Sequence, residues 1–64
     1  MTLRDLVLTM DADEKLVLRG FDNDEVLEIT PDEIINEYEI LHAYKVGHIW
    51  LSRNLYNAIV IDLE

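Results

Sequence analysis

Thr30-Pro31-Asp32-Glu33 decides the fold of this 64-residue chain. A threonine can cap a helix with its hydroxyl, and proline at the first helical position loses only an N–H that has no partner there anyway. Glutamate three residues after the threonine closes a capping box. A helix therefore starts here, and the stretches on either side of it alternate with the period of two that marks strands.

Upstream, residues 25–29 place Leu27 and Ile29 inward, and residues 15–21 set Leu16 and Leu18 against Lys15, Val17 and Arg19. Phe21-Asp22-Asn23-Asp24 supplies residue types that tolerate a tight turn, so the two strands are expected to form a hairpin. Before them, Thr2 can cap a first helix with Leu3, Leu6, Val7 and Met10 on one face. Downstream, Ile34, Ile35, Tyr38 and Leu41 share a face that Ile40 interrupts, so the second helix is expected to end between Glu39 and Ala43. Residues 44–51 and 56–63 alternate around Ser52-Arg53-Asn54 and form a second hairpin. The expected class is α+β, in the order α-β-β-α-β-β. It is a single domain over residues 1–64, with a mostly antiparallel four-stranded sheet carrying both helices on one face.

Composition narrows the function. Eleven of the fourteen carboxylates lie between Asp11 and Glu39, against Lys15 and Arg19 alone, so this stretch carries the whole net charge of −9. Residues 40–61 contain Lys45 and Arg53 and no acid. Such a chain is not expected to bind nucleic acid or anionic lipid directly, since both are polyanions. The expected partner is a basic protein, met by Asp11, Asp13, Glu14, Asp22, Asp24, Glu25, Asp32, Glu33 and Glu37. The competing reading is a solvated face that only keeps the protein soluble. With half its residues apolar and no cysteine, the chain is expected to fold without disulfides in a reducing cytoplasm. Met1-Thr2-Leu3-Arg4-Asp5 reaches an acid before any apolar run of signal-peptide length, and no membrane span is expected.

The chemistry-bearing residues are few. Asp11-Ala12-Asp13-Glu14 and Asp22-Asn23-Asp24-Glu25 share a D-x-D-E pattern, yet neither has the glycine or the spaced ligands of a calcium loop. His42 and His48 have no cysteine to complete a zinc site, Ser52 lacks a nucleophile elbow, and Gly20 and Gly47 stand apart from any phosphate loop. No metal, cofactor or enzymatic activity is expected.

The sheet face away from the helices would present Val17, Arg19, Val26, Glu28, His48, Trp50, Ala58 and Val60. That set is apolar for a solvated surface. Val17, Val26, His48, Trp50, Ala58 and Val60 therefore form a candidate homodimer or docking face, the alternative to the acidic surface for a structural or adaptor module.

Thr2-Leu3-Arg4-Asp5-Leu6, the acidic turn, the two short strands, the capped helix and the closing Ile59-Val60-Ile61-Asp62-Leu63 together resemble the small acidic proteins encoded by phages and prophages of Gram-positive bacteria. Some proteins of that kind are anti-CRISPR inhibitors, and several mimic DNA in charge. The resemblance implies an inhibitor acting in the host cytoplasm on the basic nucleic-acid channel of a type II CRISPR nuclease. It spans the whole chain as a pattern, without a shared motif, so it assigns no functional residue.

Overall fold

Both helices open on the same device. Thr2 precedes α1 (Leu3–Val7), its hydroxyl accepting from the Asp5 amide at 3.2 Å while the Asp5 carboxylate accepts from the Thr2 amide at 3.2 Å. Thr30 and Glu33 do the same for α2 (Pro31–Glu37), each bond being 3.3 Å long. Helices of five and seven residues are too short to persist alone, so caps and packing must hold them. The computed structural model describes residues 1–20 and 26–64. The turn expected over residues 21–24, with Asp22, Asp24 and the neighbouring Glu25, lies outside them.

Four strands follow the expected order: β1 (Leu16–Arg19), β2 (Val26–Ile29), β3 (Val46–Ser52) and β4 (Ala58–Leu63). They make one sheet in the order β2-β1-β4-β3. β1 pairs antiparallel with β2, and β3 pairs antiparallel with β4. The two hairpins join through a parallel pair at the centre, Leu16 opposite Ile59 and Arg19 opposite Asp62. The sheet is thus mixed, and its most buried strands are the first and the last.

The helices cover one face. Leu3, Val7, Leu16, Leu18, Ile29, Ile34, Leu41, Ile61 and Leu63 form the main core, with Leu27 and Ile35 packed against it. The second helix stops at Glu37, short of the expected limit, because Tyr38 leaves the helical region at φ −127° and ψ 59°. A 3-10 turn over Glu39–Leu41 then returns Leu41 to the core and leaves Ile40 81% exposed. That is the physical meaning of the break that Ile40 makes in the helical pattern. His42 completes the end, its Nε2 donating to the Ile34 carbonyl at 2.7 Å, one of the acceptors that a helix C-terminus leaves without a partner.

β3 is an edge strand, and the chain's own start covers its beginning. Thr2 bridges Lys45 in antiparallel fashion, with the Leu3 amide donating to the Tyr44 carbonyl at 2.7 Å and the Val46 amide to the Met1 carbonyl at 3.0 Å. A bulge between Val46 and His48 follows. It keeps Val46 with the core while sending His48 and Trp50 to the opposite face.

Candidate interaction surfaces

The acidic surface is assembled by one backbone hydrogen bond. The Asp32 amide, at the start of α2, donates to the Ala12 carbonyl at 3.0 Å. This seats the Asp11-Ala12-Asp13 turn against the helix N-terminus and joins acids that stand about twenty residues apart in the chain. Carboxylates are favoured at that helix end. Asp11, Asp13, Asp32 and Glu37 are exposed, and Glu14 and Glu33 are half-buried.

These acids do not all have the same freedom. Glu33 is committed to the cap of α2, and the Asp32 carboxylate accepts from the Asn36 amide group at 2.8 Å. Glu28 is held by Lys15 at 2.9 Å. No cation among the described residues pairs with Asp11, Asp13, Glu14, Glu37 or Glu39. Among the described residues, no three histidine or carboxylate side chains converge as a metal site would require.

The face away from the helices is organised around a residue that the sequence patterns did not single out. Asp62 accepts from Arg19 Nε at 2.6 Å and from Trp50 Nε1 at 3.0 Å, while the Arg19 guanidinium carbon lies 5.4 Å from the centre of the Trp50 ring. Trp50 and Tyr56 cover Val17, Ala58 and Val60, which are 1%, 5% and 0% exposed. Three of the six residues of the candidate docking face therefore lie beneath other side chains of the same protein. Val26 and His48 remain exposed, and Trp50 is half-buried. Arg19, Gly20, Val26, Tyr56, Asp62 and Leu63 line a concavity of about 480 Å³ beside this cluster. Ser52 is buried, and its hydroxyl accepts from the Tyr56 amide at 3.1 Å, closing the loop between β3 and β4.

Burial alone would raise the Asp62 carboxyl, but the hydrogen bonds from Arg19 and Trp50 outweigh it and hold the group below the usual carboxylate range. The same contact pushes Arg19 above its ordinary value. A carboxyl depressed in the folded state stabilises the fold at any pH above its unfolded value of about 3.9, and that contribution is lost as the pH falls through the folded value. Asp62→Asn is expected to cost about 1–2 kcal/mol at neutral pH by weakening two hydrogen bonds, and to flatten the loss of stability below about pH 4. Thermal unfolding followed by circular dichroism from pH 2 to 7 checks this. Parallel curves for the two proteins below pH 4 would show that no stability is linked to the ionisation of Asp62.

Comparison of the chain with protein-family models, with curated proteins and with solved structures finds no match. The class is therefore defined by the fold itself: a small α+β domain with a four-stranded mixed sheet and two capped helices on one face.

Proposed function

We propose that this protein is a non-catalytic interaction module whose acidic surface binds a basic protein that handles nucleic acid. The observation that carries this reading is the Asp32–Ala12 hydrogen bond, which brings the turn holding Asp11 and Asp13 beside Asp32 at the start of α2. Glu37 adds an exposed carboxylate at the far end of α2, about 140° around the helix axis from Asp32. Carboxylates held on ordered backbone lose little further freedom on binding, so they suit a partner whose cationic groups are also fixed. In its sharper form, the surface competes with phosphates for the partner's channel, as an anti-CRISPR protein of the DNA-mimicking kind would. A duplex offers about one charge per 1.7 Å, and an array of carboxylates meets the same lysines and arginines.

The test is a direct titration of a basic nucleic-acid-binding protein, a type II CRISPR nuclease first, with and without duplex DNA. Binding is expected to weaken steeply with salt and to be displaced by DNA. Asp11→Lys, Asp13→Lys and Glu37→Lys combined are expected to reduce affinity by about tenfold to a hundredfold. Exposed ion pairs contribute up to about 1 kcal/mol each, and reversal adds repulsion. These three positions leave both capping boxes intact, so the variant should retain its fold by circular dichroism. Unchanged affinity in the folded triple variant would overturn the electrostatic reading.

A further inference from the structure

The outer edge of β3 stands apart from the acidic surface. Met1–Leu3 occupy its beginning, with the Val46 amide and the Tyr44 carbonyl already paired. From His48 to Ser52 the strand has β4 on one side and no backbone partner among the described residues on the other. Proteins usually protect such an edge with a bulge, with proline, with lysine inside the strand or with inward charge, and in β3 the bulge lies only at the start, between Val46 and His48. Residues 48–52 read His-Ile-Trp-Leu-Ser and contain none of these. The two apolar residues on the helix side of this edge, Ile49 and Leu51, are 43% and 56% exposed because the helices do not reach over them.

We propose that this edge is a homodimer contact, in which β3 of a second copy pairs antiparallel with His48–Ser52 and continues the sheet from four strands to eight. The choice of occupant rests on charge and symmetry. Each copy carries −9, and contact through the acidic surface would set carboxylate against carboxylate. Residues 40–61, which include the whole edge, hold no acid, so this is where two copies can approach with least repulsion. The two exposed apolar residues of the open stretch, Ile49 and Leu51, also lie evenly about its midpoint, Trp50. An antiparallel register centred on Trp50 sets His48 opposite Ser52 and Ile49 opposite Leu51 of the second copy. The half-exposed apolar pairs then cover each other on the helix side. A two-fold axis at that point closes the assembly as a dimer and leaves no β3 edge for further copies.

Five paired residues, of which Ser52 is already buried and Trp50 half-buried, cover well under about 1,000 Å² in total, the size of a weak and transient contact. Association is therefore expected to depend on concentration. Sedimentation equilibrium from about 10 µM to about 1 mM should show the average mass rising from 7.5 kDa towards twice that value. Because like-charged copies repel, raising salt from about 0.05 M to 0.5 M should tighten the dimer at least about threefold. This is opposite in sign to the salt effect on a basic partner, so the two proposals can fail separately. Ile49→Lys with Leu51→Lys, at positions already exposed to solvent, should give a folded monomer throughout the range.

Amide exchange across residues 48–52 should slow with protein concentration in the wild type and not in the double variant. A wild type that stays monomeric at about 1 mM in high salt would overturn the proposal. So would a dimer that the two lysines leave unchanged, or protection of these amides only in the presence of an added strand-forming peptide.

Discussion

Leu18→Ala is expected to remove about 3–4 kcal/mol of stability and to lower the urea midpoint by a large part of its value. Leu18 is fully buried in β1, between Leu27 on one neighbouring strand and Ile61 on the other. Its side chain belongs to the core cluster that also contains Leu3 and Val7 of α1 and Ile34 of α2. Truncation removes the transfer free energy of the lost carbons and leaves a cavity that neighbours on both strands cannot close without breaking register. A chain of 64 residues has roughly 3–10 kcal/mol of stability in all, so one such cavity takes a large part of it. Urea unfolding at low protein concentration, followed by circular dichroism, measures the loss. Leu51→Ala, at a position already 56% exposed, is the matched control and should change stability by less than about 0.5 kcal/mol. Equal losses from the two substitutions would contradict this account of the core.

Gly20→Ala should be nearly as damaging for a different reason. Gly20 has φ +85°, a conformation that costs an L-residue energy, and an added Cβ would stand 2.8 Å from the Leu63 carbonyl oxygen. The neighbour is backbone at the end of β4, so it cannot rotate away as a side chain would. Relief requires β1 and β4 to separate at their shared end, beside the Arg19–Asp62 contact. We expect a loss of about 2–3 kcal/mol. Gly47→Ala gives the comparison, since its nearest obstacle is the Asp62 carbonyl at 3.2 Å and its φ is not positive. Its cost should be clearly smaller. A Gly20→Ala protein with an unchanged urea midpoint would show that the chain accommodates the methyl group and that the close approach is not limiting.

Both effects arise in the central parallel pair, the part of the fold hardest to read from residues alone. The strand signals of residues 15–21 and 56–63 were clear, but alternation says which side chains share a face and not which strand lies alongside. Arg19 and Asp62 meet across 43 residues of chain, and nothing near either residue announces the other. The capping box at Thr30 was evident because its parts lie within four residues. The equivalent at Thr2 uses aspartate in place of the usual glutamate, and only the cap itself was expected there. Backbone hydrogen bonding from the Thr2 amide holds the Asp5 carboxyl below its ordinary range, consistent with that role.

For the candidate surfaces the division is similar. The negative charge of residues 11–39 and its absence from residues 40–61 are properties of composition. The contact between Asp32 and Ala12, which turns part of that charge into a surface, is a tertiary fact. Alternation also suggested an open apolar face on the side away from the helices. There Val17 and Val60 are covered by Trp50 and Tyr56, while the exposed apolar pair Ile49 and Leu51 lies on the helix side of the edge strand. Periodicity assigns a residue to a face, but exposure on that face depends on how far the helices reach across it.

The sequence by itself determined the element types and their order, the two helix starts, and the placement of nearly all the acid in the first 39 residues. Those features follow from interactions between residues a few positions apart, which the chain carries wherever it goes. Tertiary structure alone decided the strand order, the parallel pairing of β1 with β4, the Asp62 cluster and the open edge of β3. Loop-closure entropy changes only slowly with loop length and barely distinguishes one strand order from another. The choice therefore falls to the packing of all four strands against two helices at once, a property of the assembled core and not of any segment within it.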